Sequence, residues 1–134
     1  ITNSFSEINR VLFAVATDGG PIESVSVTPN YLTPERIATL QEADKLVMDA
    51  LPALDPAGEV WQFPTVLLPI SINSKGQESI VLRPVSSTEA MTANFTELPW
   101  DGIKELAQKL LQLPGISAVF YDITNKPPGT IEWE

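Results

Sequence analysis

The run Asn125-Lys126-Pro127-Pro128-Gly129-Thr130-Ile131-Glu132-Trp133-Glu134 concentrates groups able to hold an anion. Two adjacent prolines stiffen the backbone just after a lysine, a glycine permits close approach, and Thr130, Glu132 and Glu134 surround a tryptophan. A segment this stiff loses little entropy on binding, and a lysine held by it meets a phosphate or carboxylate as a point charge. The residues alone allow a second reading, a surface tail whose Trp133 merely covers a sheet.

Elsewhere the chemistry is limited by what is missing. The chain has no Cys and no His, which excludes thiol nucleophiles, disulfides, imidazole-based triads and nearly all zinc catalysis. Carboxylates, Lys, Arg, Tyr and hydroxyls remain. A carboxylate-dependent hydrolase has little support, because no Asp-x-Asp or Glu pair is embedded in a motif and scattered acids on helices are usually solvated. Eight Lys and Arg against 17 Asp and Glu give a net charge of −9, which repels polyphosphate, so the expected partners include no nucleic acid and no membrane. No apolar run approaches bilayer length, and Ile1-Thr2-Asn3-Ser4 lacks the basic start of a leader. A chain opening on Ile rather than Met is expected to be processed or cut from a longer polypeptide.

These groups need a scaffold. At 134 residues with 43% hydrophobic content, residues 1–134 are expected to form one domain around one core. Arg10 to Ala16 is a β-prone apolar run that reads as a strand buried on both faces, and Ile22 to Val27 alternates like an edge strand or arm. Residues 1–32 thus form an N-terminal strand and arm. Thr33-Pro34 starts a helix, with Thr33 as cap and Pro34 at the first helical position; Ile37, Leu40, Ala43, Val47 and Leu51 form its apolar stripe, and Pro52 is expected to close it. Phe63 to Ile72 and Glu78 to Val85, joined by Asn73 to Gln77, read as an antiparallel hairpin, with Pro64, Pro69 and Pro84 at strand ends, bulges or an unpaired edge. Pro99 opens a second helix with Ile103, Leu106, Ala107, Leu110 and Leu113 on one face, and Gly102 is expected to let its start fray. Ile116 to Ile123 is a last strand and residues 124–134 a tail. The order β-α-β-β-α-β predicts an α+β fold: a two-layer sandwich of mostly antiparallel sheet with two helices on one face, of the split βαβ or a related type. Val66, Leu67, Leu68, Ile70, Ile72, Ile80, Val81 and Leu82 offer more apolar surface than two helices cover, which predicts a twofold dimer or else a monomer covered by its own arm.

Lys-Pro-Pro-Gly-Thr-Ile-Glu-Trp-Glu (126 to 134), preceded by Gly115-Ile116-Ser117-Ala118-Val119-Phe120-Tyr121-Asp122-Ile123-Thr124, resembles the C-terminal dimerisation domain of glutamine-hydrolysing GMP synthase. The resemblance extends through Glu59 to Pro69, Ser79 to Val85, Glu89 to Asn94, Ile8 to Leu12 and Val27 to Thr33, nearly the whole chain, in the form whose longer members carry two copies of the domain. It implies part of a ligase that aminates xanthosine monophosphate (XMP) to GMP with ATP and glutamine. The family's Cys and His triad and its Ser-Gly-Gly-Val-Asp-Ser phosphate loop are not in this sequence. The resemblance therefore points to the part that pairs two subunits and completes the nucleotide site. Position by position it makes Lys126, Glu132, Gln62, Thr130 and Arg83 the XMP-binding residues: Lys126 meets the 5′-phosphate, Glu132 accepts from a ribose hydroxyl or orders the tail, and Gln62 donates and accepts. Arg83, on a strand beside Pro84, equally fits an ion pair. The short loop Asn73 to Gln77 stands where commoner bacterial forms carry a Gly-rich insert with its own Arg. The resemblance further implies a homodimer, contact with the ATP pyrophosphatase domain of the same polypeptide, no cofactor in this chain, ATP and magnesium in the full-length enzyme, and a cytoplasmic location. The alternative is a free-standing regulatory α+β module that binds a small ligand as a dimer.

Overall fold

The computed structural model describes residues 4–89, 92–125 and 133. Four strands form the main sheet: β1 (Leu12–Thr17), β3 (Thr65–Leu68), β5 (Glu78–Leu82) and β8 (Ile116–Asp122), in the order β1-β8-β5-β3. The pair β5–β8 is parallel, and β1–β8 and β3–β5 are antiparallel. The helices α1 (Pro34–Leu54) and α2 (Trp100–Leu111) carry the two long crossovers. One joins β1 to β3 across two intervening strands, the split βαβ arrangement; the other joins the neighbours β5 and β8. The fold is α+β, mostly antiparallel, with both helices on one face.

Alternation along the strands makes two apolar layers. Ile80, Leu82, Val119 and Tyr121 face the helices and pack with Ala43, Val47, Ile103, Leu106 and Leu110. Val81, Ala118 and Phe120 face the other way, with Ile72 buried among them and Val66, Leu68, Ile70 and Trp133 packed alongside. The central strands β5 and β8 are buried along their whole length.

Thr33 caps α1 through its hydroxyl, which accepts from the Arg36 N–H at 3.2 Å, and Pro34 takes the first turn. The helix does not stop at Pro52. It runs two residues farther to Leu54, because a proline in the last turn removes only one backbone bond while Leu54 is buried against α2. Gly102 explains the contact: a side chain there would collide with Leu54 Cδ2. The residue expected to loosen α2 is where the two helices touch.

Pro69 divides the expected long strand. Residues before it pair with β5; β4 (Ile70–Ile72) leaves the main sheet and pairs instead with β2 (Val25–Val27), the arm. Pro64 and Pro84 flank strand ends, as expected. A further ribbon, β6 (Val85–Glu89) with β7 (Thr92–Phe95), was not foreseen from the sequence. The run Arg10 to Ala16 also differs from expectation. β1 is an edge strand rather than a strand buried on both faces, and Phe13 stays 50% exposed, covered only in part by Trp100 at the start of α2, whose ring it meets edge-on with centroids 5.2 Å apart. Most of the apolar strand surface is covered within the chain; the most exposed of the large apolar residues described lie in and after the arm, with Val27 73%, Tyr31 83% and Leu32 85% accessible.

Candidate functional site

The sheet order brings three strand ends together. Leu12 of β1 stands opposite Asp122 of β8, and Leu82 of β5 lies beside Tyr121, so Arg10 and Arg83, each just outside its strand, flank Asp122. Arg10 Nη1 donates to Asp122 Oδ2 at 2.9 Å, and Arg83 Nη1 lies 2.9 Å from the same oxygen. The other carboxylate oxygen accepts from the Thr124 N–H at 2.8 Å. Both the Arg83 and Asp122 side chains are fully buried. Burial, the largest influence, pulls the Arg83 guanidinium below its ordinary pKa; Asp122 opposes that shift and Arg10 adds to it.

The same cluster roots the run singled out in the sequence. Arg83 Nη1 donates to the Thr124 carbonyl at 2.9 Å, the Thr124 hydroxyl accepts from the Val11 N–H at 2.8 Å, and Asn125 Oδ1 accepts from the Phe95 N–H at 3.0 Å. Eight residues on, Trp133 returns to the sheet: the Arg10 guanidinium sits 4.6 Å above its ring centre, and the ring packs on the Val81 and Phe120 face. A neighbouring element is equally fixed. The Tyr121 hydroxyl donates to the Thr96 carbonyl and accepts from the Leu98 N–H, and burial pushes its pKa to about 12.

Of the residues proposed from sequence, Lys126, Thr130 and Glu132 lie outside the described residues. Gln62 is exposed, in a backbone bridge to Val85 whose Val85 N–H donates to the Gln62 carbonyl at 2.9 Å. Arg83 is two residues from that bridge, with its side chain turned inward onto Asp122. The structure thus brings Gln62 and Arg83 onto adjoining backbone at the root of the tail. Sequence reasoning missed Arg10 and Asp122 as site residues. A signal was present: an acid ending a strand whose other residues are nearly all apolar needs a cation, and two arginines stand at the ends of other strands.

Two clefts lined by described residues lie away from this cluster. One, of about 390 Å³, is lined by Asp18, Gly19, Glu23, Asn73, Ser74 and Gln77. The other, of about 260 Å³, runs between the helices beside Gly102 and Leu54. Among the described residues no helix is long and apolar enough to cross a membrane.

A family model described as GMP synthase C terminal domain matches residues 49–133. A protein of Leptospira interrogans named probable GMP synthase [glutamine-hydrolyzing] is 41% identical over all 134 residues. GMP synthases [glutamine-hydrolyzing] of Phenylobacterium zucineum and Symbiobacterium thermophilum are 42% and 41% identical over 79% and 77% of the chain. The chain spans about a fifth of the length of these curated relatives, 22%, 22% and 21% respectively. With a match that takes in α2, β8 and the penultimate tryptophan, and identity above 40% along the whole chain, this protein belongs to the GMP synthase C-terminal domain family.

Proposed function

We propose that the chain is the XMP-binding, self-associating domain of a glutamine-hydrolysing GMP synthase, a carbon-nitrogen ligase whose glutamine-hydrolysing and ATP-using steps are carried out by other domains of the polypeptide. The single observation that supports this most is the return of Trp133 to the sheet, with Arg10 over its ring and Thr124 and Asn125 fixed at the other end of the run. A tail that only trailed from the last strand would have no reason to be tied down at both ends.

In this reading Lys126 pairs with the 5′-phosphate of XMP, Glu132 accepts from a ribose hydroxyl, and Thr130 and Gln62 complete the hydrogen bonding. Arg83 acts from behind, orienting the tail through the Thr124 carbonyl and Asp122. ATP and magnesium belong to the neighbouring pyrophosphatase domain, which closes the other side of the nucleotide, and the enzyme works in the cytoplasm. Two copies pair through the exposed apolar residues of the arm, Val27, Tyr31 and Leu32.

The test is kinetic. In the full polypeptide, Lys126→Ala raises the KM for XMP by about tenfold or more, the size of losing one charge-assisted contact, and leaves the KM for ATP unchanged. An unaltered KM for XMP contradicts the assignment. Light scattering on the chain at micromolar concentration gives twice 14.6 kDa; a monomer contradicts the pairing.

A further inference from the structure

We propose that Arg10 and Trp133, backed by Asp122, are positioning residues for the nucleotide-binding run, fastening its far end to the sheet as Thr124 and Asn125 fasten its near end; this rests on the reading of Lys126 and Glu132 given above. Arg10 meets two partners with two parts of one flat group. Its Nη1 edge donates to the buried Asp122 carboxylate at 2.9 Å while its face lies over the Trp133 ring, 4.6 Å from the ring centre. A guanidinium does both at once because it is planar, delocalised and weakly hydrated; an ammonium offers no such plane. The Arg10 side chain is only 9% exposed, so the contact with the ring is made largely out of water, where attraction of a cation to a π face is strongest.

The near end depends on the same carboxylate. Asp122 Oδ1 holds the Thr124 N–H, and Asp122 Oδ2 holds Arg10. The attachments at Thr124 and at Trp133 therefore share one side chain, and making both before ligand arrives removes an ordering cost from the binding step. None of Arg10, Asp122 or Trp133 need touch the nucleotide for this to work.

Three variants of the full polypeptide, compared by steady-state kinetics and thermal melting, decide the matter. Trp133→Leu keeps apolar packing but removes the π face. Its KM for XMP rises about five- to tenfold, while kcat, the KM for ATP and the melting midpoint hold. Trp133→Phe recovers most of the loss. Arg10→Lys, which keeps a charge toward Asp122 but not the flat stack, raises the KM for XMP in the same way. Lys126→Ala is run beside them. A rise for Lys126→Ala with none for Trp133→Leu overturns the positioning role alone, and no rise for either overturns it together with the nucleotide assignment. A fall in kcat and melting midpoint that accompanies equal losses for XMP and ATP means a merely structural role and also overturns it.

Discussion

The two ends of β8 bury polar groups by different means. At its start, Ser117 Oγ accepts from the Ile72 N–H at 2.9 Å and donates to the Glu78 carbonyl at 3.2 Å, and nearby Ser79 Oγ donates to the Ile70 carbonyl at 2.6 Å. The serine hydroxyls there are neutral and their partners are backbone; the ion pair beside them, Arg36 with Glu78 at 2.6 Å, leaves its side chains 21% and 12% exposed. At its end, Asp122 is held between two arginines drawn from residues 112 and 39 positions away along the chain. The neutral end can lose one hydroxyl and keep its other bonds. The charged end cannot lose its carboxylate without leaving two buried or nearly buried cations facing each other. Charge at this position is costly to maintain, and it sits where the run bearing Lys126 and Glu132 begins and ends; the neutral end fastens β4 to the sheet through Ile72 and Ile70.

Asp122→Ala sharpens this contrast most. We expect a loss of about 3–5 kcal/mol of folding stability, the usual result of removing one partner from a buried ion network, measured by urea unfolding. A loss under about 1 kcal/mol would make the two ends equivalent. Ser117→Ala is the matching change at the neutral end. It leaves the Ile72 N–H without its hydroxyl and should cost about 1–3 kcal/mol; a cost equal to that of Asp122→Ala breaks the comparison from the other side.

Smaller effects calibrate the scale away from β8. Thr33→Ala removes the cap of α1 and should cost about 1 kcal/mol, read as a shift in the urea midpoint. The smallest effect concerns Asp55, after the end of α1. Bonds from the backbone N–H groups of Val60 and Glu59 hold its carboxyl below the ordinary 3.8. A depressed pKa stabilises the folded state above 3.8, and that contribution disappears as pH falls through the lowered value. The urea midpoints of the parent chain and Asp55→Ala should therefore differ at neutral pH and converge as the pH drops through 3.8. A constant gap would show that the carboxylate charge is not the cause.

Local signals were legible in the sequence, and spatial ones were not. Thr33-Pro34 announces the start of α1 because cap chemistry depends on adjacent residues. Pro64 and Pro84 mark strand ends because a missing N–H acts wherever it falls. The departure of β4 at Pro69 was hidden, since whether a broken strand rejoins its sheet depends on what partner stands nearby, and the arm at Val25–Val27 is 45 residues earlier. Pro52 inside α1 and Gly102 at its contact with Leu54 share this cause: each looked like a weakness by propensity, and packing between helices outweighed it. At the candidate site, Lys126, Thr130 and Glu132 stood out because they share one compact run. Arg10 and Asp122 did not, because they meet only through a sheet order no local pattern encodes, and Arg83 beside Pro84 read as a surface or interface ion pair or a ligand contact, whereas its side chain is fully buried.

The measurement closest to the central claim is equilibrium binding of XMP, by calorimetry, to the full polypeptide in its parent form and as Lys126→Ala, each at low and at high salt. The parent should bind more tightly, by about tenfold at low salt, and the gap should narrow as salt screens the charge. Equal affinities at both salt concentrations would contradict that claim.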